Sequence, residues 1–148
     1  MADADTLAQI RAYFDEVPHA RECGVVVEHL GADGVRLCLP FREDWLGDPE
    51  RGLIHTAVVS FLIDNAAGVA ALAALPGPGR VATLDLRVDY LRPALRDLPL
   101  HCEARCLRRT RQIAFVQSEV WQGERAQPVA SSQATFMCSS ASRPGAAA

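Results

Sequence analysis

His55 and Asp64 are the two residues whose types and spacing best suit acid–base chemistry. They lie nine positions apart in the most apolar stretch of the chain, GLIHTAVVSFLIDNAAGVAALAAL at residues 52–75. A carboxylate held in apolar surroundings is a candidate nucleophile or general base. Taken alone, however, Asp64 fits a structural carboxylate at a helix–helix interface better than a catalytic one.

The arginines form the second candidate group. All fifteen basic residues are arginine, eighteen residues are acidic, and the formal net charge is -3. This balance argues against a partner of duplex nucleic acid. Each guanidinium is still a planar, permanently charged group that suits phosphate. The candidate phosphate ligands are Arg87 on a strand and Arg108, Arg109 and Arg111 at a turn.

The stretch that carries His55 and Asp64 must be a long helix. It starts at about Leu53 or His55 and reaches Leu75, where the turn PGPG stops it. Polar residues break the apolar run near its middle, which favours a buried helix over a membrane span. We therefore expect no membrane partner.

The remaining segments predict an α+β fold in one domain, residues 1–138, with a flexible tail at 139–148. A short amphipathic helix over Thr6–Val17 ends at Pro18, and a hairpin and an irregular loop at 42–51 follow. After the long helix come four strand-like segments, which make an antiparallel sheet of five or six strands. In the first, VATLDLRVDYLRPA, Leu84 and Leu86 share a face and Thr83 lies on the opposite one.

The apolar character of the long helix extends nearly all the way round it. A single sheet curled around the helix covers only part of its circumference, so something else must cover the rest. The simplest candidate is a second copy of the chain, which predicts a homodimer or a dimer of dimers.

The cysteines and the N-terminal sequence bear on cofactors and location. The chain opens MADADTLAQIRAYFDEV, which predicts no secretory signal, and five cysteines without a CxxC pair predict reduced thiols in a cytoplasm. His101, Cys102 and Cys106 alternate along a strand and so point to both faces of it. We therefore predict neither a metal site nor any cofactor.

The central stretch and the strand after it resemble the hotdog-fold acyl-CoA thioesterases of the phenylacetate-pathway type. His55 and Asp64 keep the nine-residue spacing of that family, and Tyr90, Arg92 and Pro93 keep its strand end. The resemblance covers roughly residues 15–138 and implies a sheet wrapped around one long central helix, with a short N-terminal helix. In place of the two glycines that follow the family's histidine, this chain has Thr56 and Ala57.

The resemblance implies a role for each residue at the site. Asp64 acts as nucleophile or general base, the Thr56 N–H holds the thioester oxygen, His55 orients the helix start and Thr83 helps to place the attacking water. Thr56 and Asp64 lie eight residues apart, about 12 Å along a helix, so they serve one carbonyl only across a dimer. The remaining candidate substrate-binding residues are Ala57, Asn65, Trp45 and Phe61, together with the four arginines.

The implied reaction is hydrolysis of a small aromatic or short-to-medium acyl-CoA, with coenzyme A as part of the substrate and no separate cofactor. Two alternatives stay open. One is a non-catalytic acyl-CoA-binding hotdog protein, which the loss of the two glycines favours. The other is a hotdog hydratase or dehydratase, which needs a histidine paired with an acid. Nine helical steps place His55 about 180° from Asp64, which argues against such a pair within one chain.

Overall fold

The computed structural model describes residues 4–31 and 33–140. It contains the predicted sequence of a helix, a hairpin, a long helix and four further strands. The helices are α1 (Ala4–Glu16), α2 (Pro18–Cys23) and α3 (Thr56–Ala73). The strands are β1 (Val26–Gly31), β2 (Gly34–Leu39), β3 (Leu46–Asp48), β4 (Leu53–Ile54), β5 (Gly79–Tyr90), β6 (Leu100–Arg109), β7 (Ile113–Trp121) and β8 (Ala130–Ser140).

Six of the strands form one antiparallel sheet in the order β1-β2-β6-β7-β8-β5, and β3 pairs with β4 in a small separate ladder. Helix α3 packs against β2, β5, β6, β7 and β8, so the sheet curves around it. Side chains of β6, β7 and β8 are buried at alternate positions, on the face that meets the helix. The predicted α+β hotdog architecture is confirmed.

Helix α3 is slightly shorter than predicted, because Leu53–Ile54 form β4 and the last helical residue is Ala73 rather than Leu75. His55 caps its first turn, and the chain leaves the helix after Ala73, just before the turn at Pro76 and Pro78. By length and composition alone the helix is apolar enough to cross a membrane. In the fold it is the core helix, with Leu62, Ile63 and six other residues buried.

The structure departs from the sequence predictions in three segments: at Pro18, in the loop at 42–51 and at the end of β8. Pro18 does not only end α1; it also opens the short helix α2, because proline suits the first turn of a helix. The loop at 42–51, predicted to be irregular, contains a 3₁₀ turn at Glu43–Trp45 and then β3. Strand β8 runs to Ser140, which pairs with Gly79, so two residues of the predicted tail are in the sheet. The rest of that tail, 141–148, lies outside the described residues.

A bulge in β5 changes which side chains face the helix. The register of β5 against β8 shifts between Thr83 and Asp85, so Leu84 lies unpaired between them. Thr83 pairs with Phe136, which is buried on the helix side, and Leu86 pairs with Ala134, also buried. The prediction that Thr83 lies on the face opposite Leu86 is therefore wrong, because one extra residue in a strand reverses the alternation.

The outer face of the sheet, away from α3, carries a cluster of charges around Glu103. Its carboxylate accepts hydrogen bonds from Arg36, Arg105 and Arg125, at 2.5–2.9 Å. Burial by itself raises the pKa of Glu103, but the three guanidinium hydrogen bonds outweigh it and lower that pKa to about 2. Glu103 is thus a charged anchor that ties β2, β6 and the segment after β7 together.

Candidate functional site

Asp64 lies near the middle of α3, half-buried, on the side of the helix that faces β5. Thr83 Oγ1 donates a hydrogen bond to Asp64 Oδ1 at 2.8 Å. This contact exists because the bulge at Leu84 turns Thr83 toward the helix. The structure therefore brings together two of the predicted catalytic residues.

Next to Asp64, a cavity of about 410 Å³ opens between α1 and α3. Most of its lining is apolar and comes from both helices and from the sheet: Ile10, Val69, Leu72, Val81 and Phe136. Asp64, Asn65 and Thr83 form the polar part of its wall. An apolar cavity with a few convergent polar groups is typical of a small-molecule site.

Tyr13 of α1 closes one side of this cavity. Its hydroxyl donates to Asn65 Oδ1 at 3.2 Å, and Asn65 Nδ2 donates to the Phe61 carbonyl at 2.9 Å. Burial raises the pKa of Tyr13, and the charge of Asp64 raises it further. The tyrosine therefore stays a neutral donor, and Asn65 links α1 to the helix that carries Asp64.

The N-terminus of α3 is the other polar feature of the central helix. His55 is its N-cap residue, and His55 Nδ1 accepts a hydrogen bond from the Ala57 N–H at 3.0 Å. The Thr56 N–H has no acceptor among residues 4–31 and 33–140. A free N–H at the positive end of a helix can bind an oxygen that gains negative charge.

Contacts around this terminus hold it in place. The His55 N–H donates to the Trp45 carbonyl at 2.8 Å, and the Tyr90 hydroxyl donates to the Thr56 carbonyl at 3.3 Å. Ser60 Oγ also contacts the Tyr90 hydroxyl. Gly47 lies so close to His55 that a Cβ there would be 2.9 Å from the imidazole Cδ2. Backbone and hydroxyl contacts therefore position the start of the helix.

The remaining predicted residues of this region do not line the cavity beside Asp64. His55 and Thr56 lie at the helix start, with His55 held as a cap rather than paired with Asp64. Trp45 is half-buried, with its indole N–H donating to the Pro40 carbonyl at 3.1 Å. Phe61 packs edge-on against His19, with ring centroids 5.0 Å apart. The predicted residues of α3 thus fall into two groups, one at the start of the helix and one beside Asp64, because the helix is too long for them to meet within one chain.

The predicted arginine group is divided by the structure. Arg109 and Arg111 line a second cavity, of about 740 Å³, beside the Leu75–Pro78 turn and the end of β8. Arg108 pairs with Phe115 after a second bulge, on the outer face of the sheet. Arg87 is exposed on that same face and lies 3.3 Å from Asp89. Among the described residues, no ion pair involves Arg109 or Arg111. Arg109 Nη1 donates to the Thr110 carbonyl at 3.1 Å, so its charge is not neutralised by an acid.

Sequence reasoning missed the contribution of α1. The amphipathic pattern of Thr6–Val17 predicts a helix, but it does not predict that Tyr13 and Ile10 line the cavity. Ser60 and the hydroxyl of Tyr90 were missed as well. Ser60 has no sequence signal beyond a polar group in an apolar run, and the strand-end pattern that includes Tyr90 does not identify the partner of its hydroxyl.

Comparison with known proteins gives the same fold. The sequence profile of the thioesterase superfamily matches residues 51–129. A Halobacterium salinarum protein named "putative esterase" is 40% identical over 97 residues, which are 64% of this chain and 64% of that relative. The chain thus spans slightly less than two thirds of the relative's length.

Solved structures extend the likeness over most of the chain. A Pseudomonas aeruginosa protein matches with a TM-score of 0.79 and 30% identity, covering 89% of this chain and 98% of its own. A Ralstonia eutropha protein, described as a "phenylacetic acid degradation-related protein", matches with a TM-score of 0.75 and 22% identity, covering 90% and 98%. At that identity the second likeness concerns the fold alone.

Proposed function

Because this chain belongs to the thioesterase superfamily, we propose that it hydrolyses acyl-CoA thioesters to the free acid and coenzyme A. The observation that carries the proposal is the Asp64–Thr83 pair, 2.8 Å apart at the wall of an apolar cavity. A carboxylate next to an apolar cavity can meet the carbonyl of a bound acyl group. Asp64 then either attacks that carbon or removes a proton from the attacking water.

The second requirement is a donor for the carbonyl oxygen, which gains negative charge as the nucleophile adds to the carbonyl carbon and before the C–S bond breaks. The Thr56 N–H meets it at the positive end of α3. Eight residues separate Thr56 from Asp64, about 12 Å along the helix, so the two cannot serve one carbonyl within a chain. We therefore assign the oxyanion donor to Thr56 of the partner subunit, in a homodimer with two antiparallel central helices.

Two exposed features support that dimer. Strand β5 is an edge strand of twelve residues, and Leu84 and Tyr90 on it are 53% and 46% exposed. A long edge strand with exposed apolar residues tends to pair with another chain. The N-terminal end of α3 is also uncovered at Ala57. Light scattering is expected to give at least a dimer mass at micromolar concentration, and a monomer mass would contradict the shared site.

We assign the acyl group to the cavity between α1 and α3. Its volume of about 410 Å³ and its apolar lining suit a small aromatic or a short-to-medium acyl chain. The hydrogen bond from Tyr13 to Asn65 connects the two helices that form this cavity beside Asp64. A panel of acyl-CoA substrates of increasing length is expected to give a clear optimum in kcat/KM.

We assign the phosphates of coenzyme A to Arg109 and Arg111. Both line the larger cavity, and neither is used in an ion pair among the described residues. Removing either guanidinium should raise KM for an acyl-CoA and leave KM for the matching acyl-N-acetylcysteamine thioester unchanged, because that substrate has no phosphate. Arg87→Ala is the matched control, since Arg87 is exposed on the outer face and lies next to Asp89. Equal effects on both substrates would refute the assignment.

The reaction itself is tested by replacing Asp64. Asp64→Asn keeps the size of the side chain and an oxygen that accepts from Thr83, but it removes the charge. Loss of a nucleophile or general base typically lowers kcat by a factor of about 10²–10⁴. Asp85→Asn is the control, since Asp85 is exposed on the outer face of β5, the strand that carries Thr83. If wild type and Asp64→Asn release thiol from every acyl-CoA at the same background rate, the enzyme proposal fails.

One observation favours a second candidate, a non-catalytic acyl-CoA-binding protein. Thr56 and Ala57 carry side chains at the helix start, where the resemblance leads us to expect two glycines, and the Ala57 N–H is already bound by His55. This leaves one free N–H and less room for close approach of a ligand. Binding of coenzyme A without turnover of any acyl-CoA would support this alternative.

A further inference from the structure

A cluster of three potential metal ligands lies on the outer face of the sheet. Cys38 of β2 lies directly opposite His101 of β6, and Glu28 lies at a bulge of β1 between Val27 and His29. The possible ligand atoms of Glu28, Cys38 and His101 are all within 4.8 Å of one another. We propose that these three residues bind a zinc ion.

The set of donors suits zinc. A thiolate, an imidazole and a carboxylate are the three side-chain ligands that zinc takes, and tetrahedral zinc with three protein ligands keeps a fourth position for water. All three residues are at least partly exposed, so a hydrated ion can reach them. Magnesium and calcium prefer all-oxygen sites, which this one is not.

In the metal-free protein, His101 and Cys38 both interact with the carboxylate of Glu28. His101 Nδ1 lies 3.0 Å from Glu28 Oε2, and the Cys38 thiol also interacts with Glu28. Zinc binds cysteine as the thiolate, so binding at Cys38 would release the proton of the thiol.

The same contacts argue against a cysteine nucleophile activated by histidine. In such a pair the thiol interacts with the imidazole, whereas here His101 and Cys38 both turn to Glu28. The imidazole is held by its neighbour, because the Trp121 ring stacks on it with centroids 5.7 Å apart and an angle of 19°. The nearby Arg36 already binds Glu103, at 2.9 Å. The three possible ligand atoms thus lie within 4.8 Å of one another, and the guanidinium of Arg36 is bound to Glu103 instead.

The test is titration of the metal-free full chain with zinc by calorimetry, followed by cobalt as a spectroscopic probe. We expect one zinc per chain, release of about one proton, and a thiolate-to-cobalt charge-transfer band. Cys38→Ser and His101→Gln should each weaken zinc binding by more than about 100-fold, since even indirect partners of a metal cost 10–100-fold. Cys23→Ser is the matched control, because Cys23 is also half-buried but lies in α2.

The folding of each variant is first checked by thermal unfolding in the presence of a chelator, so that no metal ion is bound. The proposal is overturned if the wild type binds no zinc at micromolar concentration. It is equally overturned if folded Cys38→Ser and His101→Gln bind zinc as tightly as Cys23→Ser. A third variant, Glu28→Gln, keeps the size of the side chain and should lower affinity without loss of the cobalt band. Because these residues lie on the face opposite Asp64, failure here leaves the thioesterase proposal untouched.

Discussion

Replacing Thr83 by valine isolates the hydrogen bond that holds Asp64. Valine has nearly the same shape as threonine and lacks only the donor. A hydrogen bond to a charged group contributes about 1.5–3 kcal/mol. If that bond orients the carboxylate for the reaction, its loss lowers kcat roughly 10- to 150-fold. Water can reach exposed Thr83 and replace part of the bond, so we expect the lower end of this range.

The assay is thiol release from the best acyl-CoA, with kcat and KM measured separately. Thr83→Ser restores the donor and should recover kcat to within a few-fold of wild type, with KM similar in all three proteins. A purely structural role would instead lower the melting temperature and leave kcat per folded molecule unchanged. The reasoning is refuted if folded Thr83→Val keeps kcat within threefold of wild type, or if serine is no better than valine.

Three further predictions concern the cavity, the outer face and the helix start. Leu72→Phe narrows the cavity about 12 Å along the helix from Asp64, so kcat/KM should fall about tenfold or more for the longest accepted acyl chain and stay unchanged for the shortest. Glu103 has its pKa lowered from 4.5 to about 2, so its stabilising effect is complete above pH 4.5 and is lost as pH falls toward 2. In urea unfolding, the stability difference between wild type and Glu103→Gln should shrink over that range; a constant difference contradicts this. Gly47→Ala should lower the free energy of unfolding by about 1–3 kcal/mol, because the new Cβ would be 2.9 Å from the His55 side chain. The control Gly68→Ala should not lower it, because its Cβ would meet only Phe136, at 3.6 Å. Equal melting temperatures of these two variants would refute the prediction that a Cβ at position 47 clashes with His55.

The central helix and the sheet were predictable because their signals are local. A run of apolar residues ended by Pro76 and Pro78 defines α3, and alternation defines the strands. The separation of Thr56 from Asp64 followed from helix geometry alone. The family resemblance is confirmed by the superfamily match and by the solved structures.

The position of Thr83 could not be predicted from alternation. The segment ATLDLRVDY alternates regularly, so no residue in it announces a bulge, and Leu84 resembles every other apolar strand residue. The bulge depends on how β5 pairs with β8, which is tertiary information. The cavity was missed for a similar reason, because it depends on where α1 docks on α3 through Tyr13 and Asn65.

The alternation of the sheet also explains why the chain can carry two independent sites. Leu37 and Cys102 point to the core, while Cys38 and His101, each one residue away, point outward. Sequence reasoning considered His101 only with its neighbours along the strand, Cys102 and Cys106, and found ligands on both faces. Its real neighbour lies across the ladder, on β2, where cross-strand pairs share a face. A metal site built from adjacent strands leaves no spacing motif in the sequence, so only the register of the sheet reveals it.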